Sequence, residues 1–365
     1  MKRFFIPLVA ICISLSGFAQ ETAESQEFQF TTLKEIPISS IQNQSSTSTC
    51  WSFSGLSLIE AELLRQGRGE HDLSKMFVAH KNFGEKAVKY VRMHGATNFH
   101  PGGSFEDVLC CIRDHGIVPS AIQPGLNYGE TLHQHDELDK LLRAYVDVVI
   151  TNPNKKLSTA WRKGFTGILD AYLGECPQTF TYNGKQYTPQ SYAQSLGIRT
   201  EDYISLTSFT HHPFYTSFPI EIPDNWRWAY SYNLPLNEFM QVIDNAIDKG
   251  YTVAWGTDVS EKGYTRNGIA VISGIDGVEK KITQEMRQEA FDNYETQDDH
   301  GMLIFGTAQD QNGYKYYMVK NSYGTERGRK GVWYASVPYV QYKTINIMVH
   351  KDAIPKEIRN KLGLK

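Results

Sequence analysis

The spacing of apolar positions changes along this chain, from a helical period in its first half to strand-like runs near its end. From Cys50, the residues Phe53, Leu56, Ile59, Leu63 and Leu64 recur at helical spacing, and the run stops at Gln66-Gly67-Arg68-Gly69. Ser74 is an N-cap for a second helix carrying Phe77, Val78, Phe83 and Val88. After Pro101-Gly102-Gly103 a third helix carries Phe105, Val108, Leu109 and Ile112 and ends at Gly116-Ile117-Val118-Pro119. The stretch from about Gln20 to Gln42 is polar and reads as an extended lead-in with at most one strand.

Residues from about 125 to 200 read as a mostly helical insertion. Helical patterns run through Leu138, Leu141, Leu142, Tyr145 and Val146, and through Trp161, Phe165, Ile168, Leu169 and Tyr172. Asn183-Gly184 joins Thr179–Tyr182 to Lys185–Thr188 with the signature of a two-residue hairpin. A helix from Leu236 to Asp248 ends at Gly250, and Tyr251–Gly256 reads as a strand. Beyond His300, Met302–Thr307, Tyr314–Asn321, Val332–Ala335 and Ile345–His350 read as strands of an antiparallel sheet. Trp226, Trp228, Tyr230 and Tyr232 alternate at strand spacing, as core or cleft wall. Helices first and strands later predict an α+β fold with a helical side and a sheet side.

Composition narrows the class. Met1-Lys2-Arg3 precedes a short apolar run and the small residues Ser16-Gly17-Phe18-Ala19, the pattern of a secretory signal peptide cleaved after Ala19. A mature chain from Gln20 to Lys365 keeps 35 basic and 40 acidic residues, net −5. It therefore offers no basic field for nucleic acid or an anionic membrane, and no later stretch is apolar for long enough to span one. The expectation is a soluble, exported protein (periplasmic or extracellular). Cys50, Cys110, Cys111 and Cys176 remain, too few for a disulfide-built scaffold, and the sequence leaves any pairing of the last three open.

The chemistry centres on Cys50. A thiol on the first turn of a helix meets unpaired N–H groups and the positive end of the helix dipole, which favour thiolate. Free cysteine is also a common core residue, so the thiol alone leaves both readings open. His300 begins one strand of a predicted hairpin and Asn321 ends the other, so antiparallel pairing sets them side by side. Facing the Cys50 helix, they supply a base and its orienting group. Cys50 N–H and the Gln44 amide, six residues earlier, supply oxyanion donors.

The stretches Gln44…Cys50-Trp51-Ser52-Phe53, Gly102-Gly103, Asp299-His300 and Lys320-Asn321-Ser322-Tyr323-Gly324 resemble, in order, the signatures of the papain-like cysteine peptidases. Leu73-Ser74, Gly116–Pro119, Asp202–Leu206, Tyr232–Leu236, Trp255–Val259 and Val349–Glu357 extend the likeness to the bleomycin hydrolase and aminopeptidase C branch. The resemblance implies a papain-like two-subdomain fold, with Cys50 as nucleophile, His300 as general acid/base, Asn321 as orienter and Gln44 as oxyanion donor. It also implies that Gly102 and Gly103 line the substrate backbone, that Trp51 packs behind the nucleophile, and that the aromatic at Tyr323 shields the His–Asn pair. Peptides are the implied substrates and no cofactor or metal is called for. Branch members commonly form hexameric rings, so a homo-oligomer is implied as well.

The sequence departs from the branch in several places. Tyr323 stands where tryptophan is usual. Thr47 and His100 replace a cysteine pair of the small papain-type enzymes. The signal peptide is unusual for the branch, and the tail ending at Lys365 is short where an arm selects free amino termini. An aminopeptidase is preferred; a papain-like endopeptidase and a non-catalytic peptide-binding member are the alternatives. The pairs His133/His135 and His211/His212 read as ordinary histidines, Cys110-Cys111 as buried thiols, and Asp258 as a loop cap.

Overall fold

The computed structural model describes residues 28–272 and 280–364; the signal-peptide segment 1–19 and Lys365 lie outside the described residues. The helical side is built from α1 (Cys50–Arg65), α2 (Lys75–Arg92) and α3 (Phe105–His115). Ser74 caps α2 by accepting from the Phe77 N–H at 3.0 Å. Ser104 and Asp107 form a reciprocal capping box at the start of α3. These caps hold orphan N–H groups that would otherwise fray the helices beside the cleft. α1 is buried on nearly all faces, which lets it run through the centre of the molecule.

The segment after α3 contributes α4 (Asp136–Ile150), α5 (Trp161–Leu173), a hairpin of β2 (Phe180–Tyr182) and β3 (Lys185–Tyr187), and α6 (Pro189–Leu196). Asn183 and Gly184 both take positive φ, at 48° and 74°, as a two-residue hairpin turn requires. Leu138, Leu142, Val146, Phe165 and Leu169 form their own core with Phe83 and Tyr90 of α2.

The sheet side begins with β1 (Phe30–Glu35) and continues through β4 (Tyr203–Thr207), β5 (Ser217–Pro219), β6 (Tyr230–Asn233) and β7 (Val253–Thr257). It is completed by β8 (Ile269–Ala270), β9 (His300–Asp310), β10 (Lys315–Lys320), β11 (Val332–Ser336) and β12 (Thr344–His350). The main path runs β5-β6-β4-β12-β7-β9-β10-β11-β8, and β1 pairs with β9. The expected antiparallel character holds for most pairs, but β4 with β6 and β11 with β8 are parallel. Three further helices, α7 (Leu236–Asp248), α8 (Gln284–Asp292) and α9 (Val337–Lys343), accompany the sheet. A last helix, α10 (Lys356–Lys361), buries Ile358 in the same core as Phe239, Val242 and Ile243 of α7.

One strand expectation is corrected. Only Tyr230 and Tyr232 of the alternating aromatics lie in a strand; Trp226 and Trp228 occupy a turn. Asn225 builds that turn by donating to the Ile220 and Ala229 carbonyls, and Trp228 takes φ +57°. Side-chain hydrogen bonds of this kind compete with strand pairing and override the period.

Candidate active site

β9 crosses α1 closely because Gly301 carries no side chain. A methyl there would stand 2.7 Å from Ser54 Oγ and 3.2 Å from Phe105 Cε1. This approach sets His300, at the head of β9, against Cys50, at the head of α1. β10 returns antiparallel along β9 and delivers Asn321 to the same end.

His300 Nε2 donates to Asn321 Oδ1 at 2.8 Å. The asparagine's orientation is itself fixed: Nδ2 donates to the Tyr264 hydroxyl at 2.8 Å, and Oδ1 also accepts from the Ser322 N–H at 2.7 Å. With Nε2 committed, Nδ1 is left for the thiol and has no hydrogen-bond partner among the described residues. Tyr323 stacks on the imidazole, ring centroids 4.8 Å apart, and Trp333 meets Tyr323 edge-on. The shield therefore exists with tyrosine in the usual tryptophan position, backed by a tryptophan from β11.

Gln44 is buried, and its amide is held at both ends. Nε2 donates to the Thr47 carbonyl at 2.7 Å, and Oε1 accepts from the Ser322 hydroxyl at 2.5 Å. One Nε2 hydrogen remains uncommitted. Trp51 is buried, with its indole N–H donating to the Pro101 carbonyl at 3.1 Å. A methyl on Gly103 would lie 2.9 Å from the Trp51 ring. Gly102 is covered by Asp224, whose Oδ2 would lie 1.9 Å from a methyl placed there.

The electrostatics differ from the sequence expectation. The Cys50 thiol is pushed up to about 12, by burial first. The Gly301 N–H opposes that rise, the Asp298 and Asp224 carboxylates add to it, and the Trp51 N–H opposes it in turn. Helix-terminus stabilisation of thiolate is present but outweighed by desolvation and the two acids. Burial likewise pulls His300 down to about 4 despite the Asn321 bond. Asp299 does not face the thiol: its carboxylate accepts from the Val259 and Ser260 N–H groups and is raised by burial and by Asp258. Asp258 caps the same loop through Ser260, as expected.

Sequence reasoning brought Cys50, His300, Asn321, Gln44, Trp51, Gly102, Gly103 and Tyr323 to attention, and the fold gathers them in one cleft. It missed Tyr264, Ser322 as a hydroxyl donor, Trp333, Asp224 and Asp298. Only Ser322 and Asp298, as immediate neighbours of Asn321 and Asp299, were within reach of the motifs. Cys50, Cys110, Cys111 and Cys176 are all free thiols, and burial raises the last three. His211 and His212 share Glu221, at 3.1 and 2.7 Å, a carboxylate that the sequence spacing did not suggest. His133 and His135 are enclosed, and both His135 ring nitrogens lack partners among the described residues. No described helix is long and apolar enough to cross a membrane. α10 is tied to α7 and to the chain just before it, with Lys361 paired to Glu238 at 2.6 Å and Arg359 to Asp352 at 3.3 Å.

A helical wall and a sheet wall, with a thiol on one and an amide-held imidazole on the other, are the arrangement of papain-like cysteine peptidases. The chain belongs to the Peptidase C1-like family, whose profile matches residues 9–364. It is 23% identical over 389 residues to aminopeptidase C of Streptococcus thermophilus, covering 92% of this chain and 86% of that protein. It is 22% identical over 401 residues to aminopeptidase W of Lactobacillus delbrueckii subsp. lactis, covering 93% and 87%. Its fold is similar to that of PepW from Lactobacillus rhamnosis HN001, with a TM-score of 0.71, 21% identity, and coverage of 91% of this chain and 84% of that one.

Proposed function

We propose that this chain is an exported aminopeptidase that hydrolyses peptide bonds through a Cys50 thioester. The observation that carries the mechanism is the His300 Nε2–Asn321 Oδ1 bond at 2.8 Å, which leaves Nδ1 free for the thiol at the head of α1. His300 Nδ1 takes the Cys50 proton as sulfur attacks the substrate carbonyl. The oxyanion accepts from Cys50 N–H and from the uncommitted Gln44 Nε2 hydrogen. Collapse expels the amine, which leaves with the proton from His300. Water then attacks the thioester, gives its proton to His300, and the acid departs as sulfur takes that proton back. Asn321 keeps the imidazole plane fixed throughout, and Tyr323 excludes water from the His–Asn bond.

The amino-terminal preference is supported by the names of the relatives and by the family likeness. Alanine 7-amido-4-methylcoumarin and its N-acetyl form test it. Turnover of the free amine at least tenfold above the acetylated form is expected, and equal rates would refute an aminopeptidase in favour of an endopeptidase. Cys50→Ser is expected to abolish both; unchanged hydrolysis would remove the mechanism, and a wild type inert on both would favour a peptide-binding protein. Export is supported by the Met1–Ala19 pattern. It is checked by the amino-terminal sequence of the cell-exported protein, which should begin at Gln20.

A further inference from the structure

Two neighbouring histidines and a glutamate at the edge of the sheet take no part in the cleft chemistry. His211 and His212 follow β4, and Glu221 follows β5, the strand that ends the sheet's main path. One ligand atom from each of the three lies within 4.8 Å of the others, and among the described residues this is the one such group of histidines, cysteines and acids. His211 Nε2 stands 3.1 Å from Glu221 Oε2, and His212 Nε2 stands 2.7 Å from Glu221 Oε1. Both rings thus turn the same nitrogen toward opposite oxygens of one carboxylate.

The rings are held from behind. His212 stacks on Phe218 of β5 with centroids 4.0 Å apart, while His211 stacks on Phe291 of α8 at 5.6 Å and meets Phe218 edge-on. Buried Asn233 pins the loop backbone: Nδ2 donates to the Phe209 and His212 carbonyls at 2.7 and 2.9 Å, and Oδ1 accepts from the Phe209 N–H at 2.9 Å. The far nitrogen of His211 is also addressed. Gln288 of α8 faces Nδ1 with both amide atoms, Nε2 at 3.0 Å and Oε1 at 3.3 Å. That amide is itself oriented, with Nε2 donating to Asp292 Oδ1 at 2.8 Å and Oε1 accepting from the Thr210 N–H at 2.5 Å. A metal-bound imidazole needs its other nitrogen protonated and held by an acceptor. Once a metal takes Nε2 of the neutral ring, the proton sits on Nδ1, and Gln288 Oε1 is in place to receive it.

We propose that His211, His212 and Glu221 bind one divalent transition-metal ion of the zinc type, with Gln288 as the outer partner of His211. Two imidazoles and a carboxylate favour such an ion over Ca2+ or Mg2+, which take oxygen ligands. Tetrahedral zinc, at about 2.0–2.2 Å from each donor, separates its donors by about 3.3 Å. The His–Glu spacings are already close to that. The Glu221 side chain is 56% exposed, so it can swing outward to admit the ion, and its solvent side leaves the fourth position to water. The ion ties the β4–β5 connection to the edge strand and, through Gln288, to α8. This role is structural and independent of the peptidase reading.

The test uses the full mature chain without an affinity tag and with Cys50→Ser, so that neither added histidines nor the cleft thiol compete for metal. Calorimetric titration with Zn2+ should show one ion bound per chain in the micromolar range or tighter. Glu221→Gln and His212→Ala, on part-exposed side chains, should each weaken binding by more than about 100-fold, and Gln288→Leu by about 10–100-fold. Co2+ used as a probe should give visible d–d bands that Glu221→Gln removes. Zn2+ should raise the urea midpoint of the parent chain and leave that of Glu221→Gln unmoved. Equal Zn2+ affinity in the parent and in both ligand variants would put the ion elsewhere and overturn the proposal. The absence of saturable binding at millimolar Zn2+ would overturn it as well.

Discussion

Gly301→Ala isolates the packing that brings the two walls of the site together. Gly301 takes a φ open to any residue, so the substitution acts through space rather than backbone strain. The new methyl would sit 2.7 Å from Ser54 Oγ, 3.2 Å from Phe105 Cε1 and 3.5 Å from Trp51 Cα. Gly301 pairs with Gly256 across β7, so the strand moves away from α1 instead of sliding. Overpacking of this kind costs about 1–3 kcal/mol of stability. The larger effect falls on catalysis, since His300 and the Gly301 N–H retreat from the thiol together; a displacement approaching 1 Å lowers kcat/KM by about 100-fold. Ser54→Ala removes the nearest obstacle but forfeits the Ser54 Oγ–Cys50 carbonyl bond at 2.7 Å, worth about 0.5–1.5 kcal/mol. The double variant should therefore be more stable than the sum of the singles by about 1 kcal/mol, with Phe105 limiting the rescue. Urea unfolding followed by circular dichroism gives the stabilities, and a fluorogenic aminoacyl substrate gives kcat/KM. Strict additivity, or wild-type kcat/KM in Gly301→Ala, would refute the claim that this glycine sets the distance between the walls.

The remaining predictions follow from the hydrogen bonds and charges of the cleft. Asn321→Ala should lower kcat by about 100-fold with little change in KM, because it releases the imidazole, while the Tyr264 hydroxyl loses a donor and keeps Met302 Sδ; Tyr264→Phe should reproduce only a small part of that loss, about 10-fold at most. His300 is pulled from 6.5 to about 4 by burial, so the unfolded chain takes up a proton that the folded chain refuses. Stability should fall as pH drops from 6.5 to 4, by up to about 3 kcal/mol from this group, and His300→Gln should flatten the slope in urea titrations. Asp298 shows the opposite sign: raised from 3.8 to about 8 by burial and two acids, it costs stability progressively as pH rises through that window. Asp298→Asn should therefore gain in urea midpoint over wild type, and gain more at pH 8 than at pH 5.

The helices lining the cleft were legible because their stop signals and caps are local: Gly67 past α1, Ser74 before α2 and Gly116 past α3. The β9–β10 hairpin was legible for the same reason, through its apolar runs and the Asp310–Gly313 turn. α9 was not, because the seven residues after the Val332–Ala335 strand are too few to show a helical period, and only Pro338 and the Ser336 cap mark the switch to helix. Tyr264, Asp224 and Trp333 were hidden for a different reason. Each reaches the site from an element far along the chain, and the segments around Tyr264 and Asp224 carry no periodicity that would fix their direction. The charge balance was hidden too: the helix-terminus argument for a low thiol pKa is sound locally, but the desolvation and acids that overturn it come from packing.

That balance bears on how the site works. A thiol pushed up to about 12 beside an imidazole pulled down to about 4 keeps the proton on sulfur in the empty cleft. Moving it to His300 creates adjacent opposite charges, whose attraction in a poorly solvated site offsets much of the separate cost of burying each. The two carboxylates are not offset in this way, because they disfavour the thiolate while Asn321 stabilises the imidazolium only through one hydrogen bond.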